Sequence, residues 1–196
     1  MGWFPAEFNY QVDEECKDTI DALKKEYEND LIFLGNYPSI MLQLAIELIK
    51  KCPGHTFELY GEQMYSVSSH IVQSLVTFDG TDLKHRVSID DGGDPYYIYC
   101  DCGYEEEDRE CDFLGIKDRP VGSYLIEADC PECECHHKLI DIWTDEWLLK
   151  VDGNGKFTLV SASKKDIDIE KMIADANGED NTVKLNIADL TSIKEF

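Results

Sequence analysis

A chain of 196 residues and 22.4 kDa can bury one core with a small appendage, and its 43% hydrophobic content, with ten tyrosines and eight phenylalanines, excludes a disordered acidic tail. Forty-one acidic side chains against eighteen basic ones leave a formal charge of -23 and a pI near 4.3. With only three arginines (Arg86, Arg109, Arg119) and no cluster of Lys, Arg and aromatics, direct nucleic-acid binding is disfavoured, while a cationic partner is attracted.

In residues 13–29, Cys16, Ile20, Leu23 and Tyr27 recur at helical spacing and predict an amphipathic helix. Ser39 is placed to cap a second helix, which runs to about Lys51 and is stopped by Cys52-Pro53-Gly54. Lys50 and Lys51 in its last turn suit the macrodipole. Met64, Val67, Ile71, Leu75 and Phe78 keep a helical stripe and predict a third helix from Glu62 to about Phe78, against the strand preference of Val72, Val76 and Thr77.

Beyond Asp79-Gly80 the chain reads as short strands at 84–89, 96–100, 123–129, 138–143, 147–151 and 156–161, the last two forming a hairpin across Asp152-Gly153-Asn154-Gly155. A helix from about Asp166 to Asn177, ended by Gly178, and a strand at 183–187 complete the chain. The expected fold is α+β: N-terminal helices packed on a mostly antiparallel sheet, with residues 1–196 as a single domain. The apolar stretch 40–49 is broken by Gln43 and Glu47, so no membrane span is expected. Residues 1–10 lack the basic and apolar regions of a secretory signal, which points to a cytoplasmic protein with reduced thiols.

Six of the eight cysteines, Cys100, Cys102, Cys111, Cys130, Cys133 and Cys135, fall between Tyr99 and His136, and His136 and His137 follow directly. Thiolates and imidazoles at such spacings make tetrahedral metal sites. Cys100 and Cys102 lie two apart at a strand end, so both sulfurs share a face, and Gly103 permits the tight turn beyond. Cys130-Pro131-Glu132-Cys133 resembles one half of a zinc ribbon, the rubredoxin-like knuckle in which a Cys-x-x-Cys turn between two strands offers two sulfurs and its backbone N–H groups to one centre.

The resemblance covers residues 99–140 and implies a zinc-ribbon-like insertion holding one structural zinc. It departs from the family in the single residue between Cys100 and Cys102 and in the 27 residues between Cys102 and Cys130, against about 15–20 in a common ribbon. The expected ligands are Cys100, Cys102, Cys130 and Cys133, with Cys111, Cys135, His136 and His137 competing for a place or for a second site.

Four thiolates saturate zinc, whereas a catalytic zinc keeps an open position. Neither the His-x-Glu and Pro-Cys-x-x-Cys elements of zinc deaminases nor the His-Glu-x-x-His of zinc proteases occurs. Cys52-Pro53-Gly54-His55 reads as a helix stop with a buried Cys, Ser68-Ser69-His70 as a polar stretch, and residues 152–154 as a hairpin turn. The expectation is a non-enzymatic, zinc-stabilised acidic interaction protein of the inhibitor or nucleic-acid-mimic kind. Its partner would be a basic protein such as a nucleic-acid-binding enzyme, and it would contact neither nucleic acid nor membrane itself. Glu105, Glu106, Glu107, Asp108, Glu110 and Asp112, six acids in eight positions, are the candidate contact surface. The alternative is a zinc enzyme with an open Cys/His site.

Overall fold

The computed structural model describes residues 5–31, 39–64, 71–90, 98–106 and 115–179. Its scaffold is a seven-stranded antiparallel sheet. β1 (Glu7–Val12), β2 (Phe57–Met64), β3 (Ile71–Phe78), β4 (Asp82–Asp90), β8 (His136–Val151) and β7 (Gly122–Asp129) lie in the order β1-β2-β3-β4-β8-β7, and β9 (Phe157–Ala162) pairs with the far end of β8. A separate two-stranded ribbon joins β5 (Ile98–Tyr99) to β6 (Glu105–Glu106).

The helices cover one face of the sheet. A 3-10 turn (Glu14–Cys16) leads into α1 (Lys17–Glu26), followed by α2 (Glu28–Leu31), α3 (Ile40–Lys51) and, after the sheet, α4 (Ile167–Ala176). Strand alternation sends Leu59, Val76, Leu83, Leu149 and Phe157 into one core with Ile20, Leu23, Leu44, Leu48, Ile169 and Ile173. Eight of the twelve α3 residues are buried, which makes it the central helix of the layer. The result is an α+β fold. No helix among the described residues is long and apolar enough to cross a membrane.

The opposite face of the sheet is polar and partly roofed by residues 115–119. Arg86 holds that segment: its Nε donates to Glu146 (2.6 Å) and its Nη1 to the carbonyls of Ile116 (2.6 Å) and Lys117 (2.7 Å). Lys117 reaches Glu58 (2.6 Å), and Arg119 donates to Ser88 (2.9 Å), which itself bonds Thr144 (2.9 Å).

Several expectations are corrected. The third helix does not exist in the described residues: β2 and β3 cover 57–64 and 71–78, and Val72, Ser74, Val76 and Phe78 alternate into the buried face. The stripe at Met64, Ile71, Leu75 and Phe78 is compatible with either period, and the β-branched residues decide it. β1 and β2 were not foreseen as strands, and the strands expected at 138–143 and 147–151 are one 16-residue strand, β8. Ser39 does not cap α3. Its backbone is already helical (φ -65, ψ -16) and its side chain makes no cap bond, whereas Asp166 is extended (φ -136, ψ 111) and caps α4 by accepting from Asp168 and Ile169. The helix expected over 13–29 is divided into the 3-10 turn, α1 and α2. The strand expected at 183–187 and the Ser68-Ser69-His70 stretch lie outside the described residues.

Candidate metal centre

Two hairpin tips meet at the centre. β4 pairs with β8 only over Ile142–Lys150, so the first residues of β8 continue as a hairpin with β7. A register shift between Ile126 and Glu127 bends this hairpin, and its tip is the Cys130–Cys135 turn. The second tip is the Cys100–Tyr104 turn between β5 and β6.

The two turns are built alike. In the first, the Gly103 N–H donates to the Cys100 carbonyl (2.9 Å) and the Cys100 N–H to the Tyr104 carbonyl (3.1 Å). In the second, the Glu134 N–H donates to the Cys130 carbonyl (2.8 Å) and the Cys130 N–H to the Cys135 carbonyl (2.8 Å). The second turn is one residue longer. In both, the residue after the second cysteine is left-handed, Gly103 at φ +89 and Glu134 at φ +59. Backbone N–H groups also point at the sulfurs: those of Cys102 and Tyr104 at Cys100 and Cys102, those of Glu132 and Cys133 at Cys130, and that of Cys135 at Cys133.

The structure brings Cys100, Cys102, Cys130 and Cys133 together, with all four Sγ atoms within 4.8 Å of one another. Contacts cross between the turns, Cys100 to Cys133 at 3.4 Å and Cys102 to Cys130 at 3.7 Å. A tetrahedral ion about 2.3 Å from each sulfur requires edges of about 3.8 Å, so the cluster fits such an ion with little movement. Cys130 is buried, while Cys102 and Cys133 are exposed.

Burial alone would raise the Cys130 thiol, but the N–H groups of Glu132 and Cys133 and the thiols of Cys100 and Cys102 outweigh it and bring it down to about 7. At Cys133 the Cys135 N–H and the Cys100 thiol act to lower the value, and the Cys135 and Cys102 thiols with burial override them, pushing it up to about 11. The thiols are thus coupled in one small volume with Cys130 the first to ionise, and a cation placed among them would hold all four as thiolates.

The histidines stand apart from this cluster. His136 Nδ1 lies 2.8 Å from Asp129 Oδ1, its cross-strand neighbour at the base of the second turn, and His137 faces Ala128. The Asp129–His136 pairing went unnoticed in the sequence, though it follows once Cys130 is set opposite Cys135. Cys135 is exposed and outside the cluster of four. Of the acidic contact candidates, Glu105 and Glu106 form β6, while Glu107, Asp108, Glu110 and Asp112 lie outside the described residues, as does Cys111.

Comparisons of the chain with protein-family models, curated proteins and solved structures return no match. Fold and site together define an α+β protein with a four-cysteine cluster placed to bind a metal ion.

Proposed function

We propose that this is a non-enzymatic, zinc-stabilised acidic interaction protein. It would bind a basic protein partner, such as a nucleic-acid-binding enzyme, as an inhibitor or nucleic-acid-mimicking decoy. The observation that supports the reading is the cluster itself: four thiols sit within 4.8 Å of one another, and four thiolates are the number that would fill a tetrahedral ion and leave no place for water. Zinc suits an all-thiolate tetrahedral donor set, and the paired turns support a zinc-ribbon-like module. A closed centre stabilises structure rather than performing chemistry, and the alternative of an open Cys/His zinc finds less support because neither His136 nor His137 belongs to the cluster of four.

Function then falls to the surface. A charge of -23 steers cationic proteins and repels phosphates. Glu105 and Glu106, on the strand leaving the first cysteine turn, begin an acidic run that the sequence continues with Glu107, Asp108, Glu110 and Asp112.

The test is binding of purified chain to cationic nucleic-acid-binding proteins at low and high salt, beside a variant with Lys at those six positions. Binding that weakens steeply with salt and with charge reversal is expected, together with negligible binding to free DNA. Tight DNA binding by the chain itself, or partner affinity indifferent to both salt and reversal, overturns the proposal.

A further inference from the structure

Two cysteines outside the four-cysteine cluster meet on the helical side of the sheet. Cys16 closes the 3-10 turn and is the N-cap of α1; Cys52 is the C-cap of α3. Their segments are pinned together on both sides. β1 pairs with β2 through Val12 and Phe57, and the Asp13 carboxylate accepts the Thr56 N–H (3.1 Å) and contacts His55 Nδ1 (3.2 Å). Between these ties the Cys16 and Cys52 thiols lie beside one another and interact. Cys16 is 2% exposed in the core, and Cys52, half-buried, packs against the same cluster.

We propose that Cys16 and Cys52 are a thiol-disulfide modification site, independent of the metal centre, which closes to a disulfide when a small-molecule disulfide oxidant reaches Cys52. The chemistry balances without a further reactant. The Cys52 thiolate, its proton lost to solvent, attacks one sulfur of oxidised glutathione, forming a mixed disulfide and releasing one glutathione thiolate. Cys16 then loses its proton and attacks the Cys52 sulfur, expelling the second glutathione. Two protein thiols are oxidised and one glutathione disulfide is reduced to two thiols.

The order follows from access. Cys52 is the more exposed of the two and would meet an external oxidant first, and Cys16 is the buried resolving thiol. Burial, and then the interaction with Cys52, push the Cys16 thiol up to about 12, so the second step is the slower one. The closed bond would tie the start of α1 to the end of α3, the two helices that pack together over the sheet.

The experiment treats the full, zinc-loaded chain with oxidised glutathione and maps the product by non-reducing tryptic mass spectrometry. Expected is the peptide of residues 1–17 joined to that of residues 52–84, lighter by two hydrogens than their sum, with a raised Tm that reverts on reduction. In Cys16→Ser, glutathione should remain on Cys52 as a stable mixed disulfide. In Cys52→Ser, a change at a half-buried position, Cys16 should stay unmodified. Persistent glutathione on Cys52 in the unmutated chain overturns the proposal. So does an unmodified Cys52, or oxidation confined to the cysteines of residues 100–135.

Discussion

Gly103 and Glu134 occupy equivalent places in the two cysteine turns, each immediately after the second cysteine and each with a positive φ, +89 and +59. Among the described residues Glu134 is the only non-glycine in that region. The left-handed backbone lets the N–H of the next residue turn back toward the sulfur, so the geometry is required in both turns, but only one has the residue that adopts it freely.

A left-handed non-glycine costs about 1–2 kcal/mol, part of which glycine returns as unfolded-state entropy. Glu134→Gly should therefore stabilise the protein by about 0.5–1 kcal/mol, and Gly103→Ala should destabilise it by about 1 kcal/mol. No atom lies within 4 Å of a Cβ built on Gly103, so the second cost would be backbone strain alone. Urea denaturation of the metal-loaded protein checks both. A destabilised Glu134→Gly would mean that the Glu134 side chain contributes more than its backbone costs.

The four-sulfur cluster leads to a prediction on composition and stability. Purified protein should carry about one zinc per chain, and a strong chelator should unfold at least the paired turns, since structural zinc sites contribute about 10–16 kcal/mol of apparent binding free energy. Cys130→Ser and Cys133→Ser should lower metal content, whereas Cys135→Ser, outside the cluster, should retain it. Elemental analysis decides. Full occupancy in Cys133→Ser, or a metal-free chain indifferent to chelation, would contradict the assignment.

How far this was legible in the sequence depends on the range of the signal. The Cys-x-x-Cys and Cys-x-Cys spacings encode local turns, and two such turns in one small protein point to one centre, so the members of the cluster could be named before their geometry was known. β4, β7 and β9 were readable because β-branched residues alternate between turn signals. β2 is hard to read because its inward positions pass from Phe57 and Leu59 to Gly61 and the buried Gln63, so the apolar alternation stops halfway along the strand. The meeting of Cys16 with Cys52 was hidden because each reads as a buried residue at a helix end, and only the pairing of β1 with β2 brings them together.

Arg86 provides a further test. Its guanidinium holds one partly buried carboxylate and two loop carbonyls, with side-chain exposure of 12% for Arg86 and 24% for Glu146. Arg86→Leu leaves Glu146 without its cation and removes two of the ties on residues 115–119, leaving those of Lys117 and Arg119, and the expected loss is about 2 kcal/mol, below the roughly 3–5 kcal/mol of a fully buried pair. Limited trypsin digestion should then cut faster after Lys117, Arg119 being protected by the Pro120 that follows it. Unchanged cleavage and stability would show that the segment is held by other contacts.

His85 sets the response to acid. It is fully buried, its Nε2 lies 3.0 Å from Ser74 Oγ, and its ring packs on Trp147 at 5.5 Å. Burial brings its pKa down from 6.5 to about 3, so the folded protein keeps the ring neutral where the unfolded chain protonates it. The unfolded state binds the extra proton between those values. The contribution of His85 is therefore complete above about pH 6.5 and declines as pH falls toward 3, by about 1.4 kcal/mol per unit. From pH 7 to pH 5 the contribution is a loss of about 2 kcal/mol. His85→Gln, which cannot titrate and keeps a polar group for Ser74, should be less stable at pH 7 yet lose about 2 kcal/mol less over the same interval. Denaturation midpoints of both proteins at the two pH values measure the difference, and equal losses would remove His85 as the acid-sensitive group.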